Sequence, residues 1–164
     1  VLLHCNTKMI RAFLALLIVS AACLAVDATQ GFDLSYFQGD VSQSSFDCLY
    51  DNGYEFGIIQ ATAGTGGYNP YVADDVNRGK AAGICCMDVY VFPDTSQDAS
   101  SSMTTLINNL LSDGALTNNM VWMDIEGTQY WSSSCTDNVN WLSEAISTIE
   151  GMYNGCDQST CVGI

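Results

Sequence analysis

The 164 residues carry 18 acidic side chains against four basic ones, for a net charge of −14, with one histidine and eight cysteines. A polyanion of this size repels phosphate backbones, which argues against nucleic-acid binding. The lone histidine, His4, lies upstream of the expected mature start, so Ser-His-Asp, Cys-His and His-ligated zinc chemistry lack their central residue, and neither a metal nor an organic cofactor is expected.

Residues 1–8 precede the first methionine and read as a flank foreign to the mature protein. Met9, the basic Arg11, the apolar run Phe13 to Val19 and the small residues after it read as a secretory signal peptide over 9–28; the run is too short to span a membrane. The mature chain, 29–164, is expected to be secreted and monomeric, without stable membrane association. Gly31-Phe32-Asp33-Leu34 is a short apolar strand, and Phe46, Leu49 and Tyr50 mark one side of a short helix. Phe56 to Ala61 is a second strand between Gly53 and Gly64. The segment 64–67 superficially resembles a phosphate cradle, but without a following GK[ST] it reads as a flexible loop. A helix over Val72 to Ala82 ends at Gly83, and Ile84 to Phe92 is a third strand stopped by Pro93. Asp98 or Ser100 caps the next helix, whose apolar set Met103, Leu106, Ile107, Leu110 and Leu111 has 3–4 spacing. Met120 to Glu126 is a fourth strand. Val139, Leu142, Ala145, Ile146, Ile149 and Met152 form the longest helical stripe, and Cys161 to Ile164 starts a fifth strand.

Strands alternating with helices predict a parallel α/β sheet in one domain, with strands apolar on both faces beneath helices. In such folds the C-terminal ends of the strands share one rim, and sites sit there. Asp33, Gln60, Tyr90, Asp124 and Glu126 all fall at predicted strand ends. As i and i+2 of a strand, Asp124 and Glu126 should share a face about 6–7 Å apart. Carboxyls that close tend to share a proton, and a protonated acid beside an ionised one suits general acid catalysis on a glycosidic bond. Each residue also has a plainer reading. Asp33 is then a turn acid, Tyr90 barrel core and Gln60 a buried amide satisfying a strand end. Tyr130 and Trp131 are either a sugar-stacking platform or packing for the next helix.

Six cysteines follow residue 28: Cys48, Cys85, Cys86, Cys135, Cys156 and Cys161. In a secreted chain they suggest disulfides with fifteen possible pairings. Adjacent Cys85 and Cys86 are expected to bond to different partners, or to leave one thiol free and buried.

Together the motifs GFDLSYFQG (31–39), FGIIQATAG (56–64), KAAGI (80–84), DVYVFP (88–93), and WMDIEG with QYW (122–131) resemble glycoside hydrolase family 25 lysozymes, or muramidases, of the secreted protist and nematode branch. The resemblance covers 31–164. It implies an irregular TIM-like (β/α) barrel, here without its closing strands, so that the catalytic domain at 29–164 reads as C-terminally incomplete. It implies Glu126 as the general acid, Asp124 as the residue that positions or stabilises the substrate, and Asp33 as a supporting carboxylate. Tyr90 would line the sugar site, with Gln60, Tyr130 and Trp131 as further substrate contacts. The implied substrate is bacterial peptidoglycan, cut at the β-1,4 bond between N-acetylmuramic acid and N-acetylglucosamine. Two alternatives stand beside this reading: a non-catalytic glycan-binding protein on the same scaffold, and a hydrolase of another N-acetylglucosamine polymer such as chitin. Because bacterial walls are anionic too, the acidity of the chain points to work in an acidic endolysosomal or phagosomal lumen.

Overall fold

The computed structural model describes residues 29–64, 66–156 and 160–164; the expected flank and signal peptide lie outside the described residues. Apolar alternation places the first strand, β1, at Gln30–Leu34, followed by a 3-10 turn at Tyr36–Gln38 and helix α1 at Gln43–Asp51. The Ser42 hydroxyl caps α1 by accepting from the Ser45 N–H (3.3 Å). Strand β2, Tyr54–Gln60, leads into a short antiparallel hairpin of β3, Thr62–Ala63, and β4, Gly67–Tyr68. Within the segment read as a flexible loop, Gly64 and Gly66 are turn residues between these two strands, and Gly67 opens β4. Helix α2 is Val72–Ala82, β5 is Cys86–Val91 and α3 is Ala99–Ser112. Of the two capping candidates for α3, Asp98 serves, its Oδ1 accepting from the Ser101 N–H at 2.8 Å. Strand β6 is Val121–Met123, a 3-10 turn follows at Thr128–Tyr130, α4 is Cys135–Met152 and β7 is Val162–Gly163.

The five long-range strands run parallel in the order β1-β2-β5-β6-β7, each adding beside its predecessor. This is a mixed α/β fold of TIM-like type with an unclosed barrel. The two faces of the sheet differ. Ile59, Met87, Val89, Val91, Val121, Met123 and Val162 point to one face and are buried with Phe46 of α1, Val76 of α2, Ile107 of α3 and Ile149 of α4. Gly79 lets α2 lie close on this face: a Cβ there would come within 2.5 Å of the Met87 sulfur. The alternate residues form the other face. Registered rows set Asp33 beside Ile58 and Ile58 beside Asp88, and then Tyr90 beside Trp122. These side chains are half-buried or exposed. The expectation of strands apolar on both faces is corrected here: helices cover one face, and the other is the polar concave wall of the open barrel.

The segment joining β1 to α1 is tied down over α2. Arg78 donates to the Val41 carbonyl (2.7 Å) and pairs with Asp40, while the Val41 N–H donates to Asp75 Oδ1 (3.2 Å). Asp75 is almost fully buried, and desolvation above all pushes its carboxyl up to about 6 despite the bond from Val41 and the charge of Arg78.

Candidate active site

Asp33, Ile58, Tyr90, Trp122 and Asp124 line one hollow of about 280 Å³ on the concave face, near the C-terminal ends of β1, β2, β5 and β6. Residues as far apart as Asp33 and Asp124 meet there because successive parallel strands bring the same end of each βα unit to the same rim. Asp33 reaches the hollow from β1 and Tyr90 from β5. Asp124 follows β6 directly, and its N–H continues the ladder by donating to the Val91 carbonyl (2.9 Å).

Strand β6 is shorter than expected. It ends at Met123, so Ile125 and Glu126 lie in the loop that follows, and the strand geometry invoked for the Asp124–Glu126 pair does not apply. Glu126 is exposed, and Gly127 follows with φ of 61°, a left-handed turn that turns the chain into the 3-10 segment. Glu126 still acts electrostatically on the hollow. Burial first, then the charges of Glu126 and Asp33, hold the Asp124 carboxyl above the ordinary carboxylate value. Burial, followed by Asp124, Asp33 and Glu126, raises the Tyr90 phenol in the same way. The carboxyl pushed towards its protonated form is thus Asp124, with Asp33 and Glu126 as the charges that push it.

Gln60 sits beneath the site. It is 4 % exposed, and its Oε1 accepts from the Tyr36 N–H (2.8 Å) and the Tyr90 hydroxyl (3.0 Å). Its carboxamide is spent within the protein: it fixes Tyr90 and the start of the 36–38 turn, the plainer reading of a strand-end amide. Tyr130 packs edge-on against Phe92, ring centroids 5.0 Å apart, and remains 42 % exposed. Trp131 packs edge-on against Trp141 of α4 (6.2 Å), and its Nε1–H donates to the Glu126 carbonyl (3.2 Å). Trp131 therefore packs for the next helix and holds the loop that carries Glu126. It also lines a neighbouring groove of about 410 Å³ with Ile125 and Glu126.

Three residues of this region were not singled out from sequence. Asp88 accepts from the Met120 N–H and from the Trp122 Nε1–H, both at 2.9 Å, and so fixes the indole that forms part of the hollow. Both were open to the same i, i+2 logic, since Asp88 precedes Tyr90 and Trp122 precedes Asp124 by two. Phe37, 81 % exposed, stands in the 3-10 turn that follows the Asp33 strand, its ring 5.6 Å from that of Tyr36. An apolar ring left in solvent was the signal there. Among the described residues, no group of three or more His, Cys, Asp or Glu side chains is placed to hold a metal ion, and no helix is long and apolar enough to cross a membrane. Of the expected disulfides, Cys156 pairs with Cys161, while Cys48, Cys85, Cys86 and Cys135 are free and exposed. The expectation that Cys85 and Cys86 bond to different partners, or leave one thiol free and buried, is corrected accordingly: neither is in a disulfide and both are exposed.

An unclosed βα barrel with acids gathered at its strand ends is an arrangement that barrel glycoside hydrolases use. Comparison with known proteins narrows it. A family model described as "Lysozyme-like protein 1" matches residues 27–155. "Probable GH family 25 lysozyme 2" of Dictyostelium discoideum is 35 % identical over 154 residues, covering 89 % of this chain and 70 % of that protein. A muramidase from Trichobolus zukalii superposes with a TM-score of 0.54 at 26 % identity, over 76 % of this chain and 61 % of that one. A family 25 glycosyl hydrolase from Bacillus anthracis shares the fold, with a TM-score of 0.59 at 17 % identity, over 77 % and 57 % of the two chains. The chain belongs to the glycoside hydrolase family 25 lysozymes. It spans about three fifths of the length of these solved structures.

Proposed function

We propose that this protein is a lysozyme that hydrolyses bacterial peptidoglycan at the β-1,4 bond between N-acetylmuramic acid and N-acetylglucosamine. The observation that carries the reading is the meeting of Asp33, Tyr90 and Asp124 around one hollow, with Glu126 close enough to perturb both Tyr90 and Asp124. In the proposed reaction Glu126, exposed in the loop after β6, protonates the leaving sugar oxygen. Asp124, whose carboxyl burial and then the charges of Glu126 and Asp33 hold above the ordinary value, orients the N-acetyl group of the muramic acid, and Asp33 is a supporting carboxylate. Trp122 and Tyr90 form the wall against which the sugar lies, and Asp88 and Gln60 hold those two rings.

The proposed setting is an acidic lumen after secretion. Anionic walls and a chain of net charge −14 repel each other least where part of that charge is neutralised. The test is incubation with purified bacterial walls and, in parallel, chitin, with chemical labelling of new reducing ends. New ends on muramic acid support the proposal. Binding to walls without new ends shows a glycan-binding protein instead, and cleavage of chitin alone shows a different polysaccharide hydrolase. A profile of the same activity that peaks at neutral pH or above in low salt rejects the acidic setting.

A further inference from the structure

Neighbouring side chains within a strand point to opposite faces, so two adjacent cysteines in regular β-structure keep their sulfurs apart. Here β5 begins at Cys86, and Cys85 lies in the bend before it. The bend turns the two side chains together, and their Sγ atoms stand 3.0 Å apart. The Cys85 thiol also bonds to the Glu55 carbonyl (3.2 Å), which holds it in this arrangement. Both residues are exposed and carry free thiols. They open on a hollow of about 350 Å³ that Lys80, Asp88, Asn118 and Met120 also line. Lys80 is the cation in this lining, while contact with Cys85 first, then burial and the charges of Asp88 and Glu55, act to raise the Cys86 thiol, so the site rests on the close approach of the two sulfurs. The pair lies at the start of β5, and Tyr90 lies near its other end, so the site is separate from the acidic hollow.

We propose that Cys85 and Cys86 are a thiol–disulfide exchange site that takes a small-molecule disulfide and closes into a vicinal disulfide. The Cys85 thiolate attacks one sulfur of the reagent, forming a mixed disulfide and expelling one thiolate. The Cys86 thiol then loses its proton and attacks the Cys85 sulfur, closing the ring and expelling the second. Two electrons pass from the protein dithiol to the reagent, which leaves as two thiols. Contact with Cys85 is the main cause that raises the Cys86 thiol to about 11, which fits Cys85 as first attacker; that hold is lost once Cys85 is in the mixed disulfide. The sulfurs need to approach by only about 1 Å to reach bonding distance. Neighbouring Cα atoms across a trans peptide are ~3.8 Å apart, shorter than the ~4.4 Å lower end for ordinary disulfides, so the closed ring is strained and readily reduced.

The test treats the full chain, natively folded, with oxidised glutathione, followed by acid quench, alkylation and peptide mass mapping. Cleavage after Lys80 and before Asp88 releases residues 81–87, which contain no other cysteine. The expected peptide is two hydrogens lighter than its dithiol form and carries neither glutathione nor alkyl group. A peptide alkylated twice, one bearing glutathione, or one cross-linked to Cys48, Cys135, Cys156 or Cys161 overturns the proposal. In Cys86→Ser the same peptide should retain one glutathione on Cys85; an unmodified peptide removes Cys85 as the attacking thiol and overturns it equally.

Discussion

Replacing Asp124 by Asn separates the cost of assembling the acids from their use. The folded-state pKa of Asp124 is raised by burial and by Glu126 and Asp33, so the native protein binds this proton more tightly than the unfolded chain. The contribution of Asp124 to stability is therefore most favourable at low pH and is lost as pH rises through the carboxylate range. Asn cannot ionise and keeps nearly the same shape, and the backbone bond from residue 124 to Val91 is untouched. At pH 7 the variant should gain about 0.5–1 kcal/mol, the scale of one partly exposed charge interaction. That is roughly 1–4 °C in Tm for a domain of this size. At about pH 3, where the wild-type carboxyl is protonated in both states, the gain should vanish. Thermal unfolding followed by circular dichroism across this range measures it, and the release of reducing ends from walls should fall by roughly 10²-fold or more. A variant less stable than wild type at pH 7, or a gain of equal size at both pH values, refutes the electrostatic account of the site.

Glu126→Gln should lower turnover by about 10²–10⁴-fold while leaving Tm nearly unchanged, because the side chain is exposed and the bond from Trp131 goes to its backbone carbonyl; steady-state assay on walls measures the first and thermal unfolding the second. Asp88→Asn sets an amide N–H against one of the two donors it now satisfies, and should cost about 1.5–3 kcal/mol in urea unfolding, with Trp122 fluorescence shifted. Phe37→Ala should leave stability within about 0.5 kcal/mol. If the ring stacks on sugar, it should also weaken sedimentation with walls several-fold, a contact worth about 0.5–1.5 kcal/mol. Phe46→Ala, at a fully buried site between α1 and the sheet, should cost about 3–5 kcal/mol by urea titration.

Much of this molecule was legible in order along the chain. Helix α2 has the bounds its spacing predicts, and Asp98 caps α3 as one of the two expected candidates, because helix periodicity and caps are local properties of the sequence. Boundaries set by tertiary contact were less legible. Helix α4 begins at Cys135, well before its first apolar stripe residue, because the Ser134 hydroxyl accepts from the Asp137 N–H and a polar first turn carries no periodic signal. Strand β6 stops at Met123 because only Val121 and Trp122 find partners on β7, and the ladder to β5 ends one residue further on.

The sequence by itself determined the parallel βα order, the family and the candidate acids, since alternation, motif spacing and residue chemistry are all written along the chain. Only the tertiary structure decided which face of the sheet is wall and which is core, because register between strands sets the row from Asp33 through Ile58 to Asp88. It also decided that Asp124 bears the raised pKa and that Gln60 works from beneath. Burial and the distances between charges far apart in sequence fix both, and no local pattern encodes them.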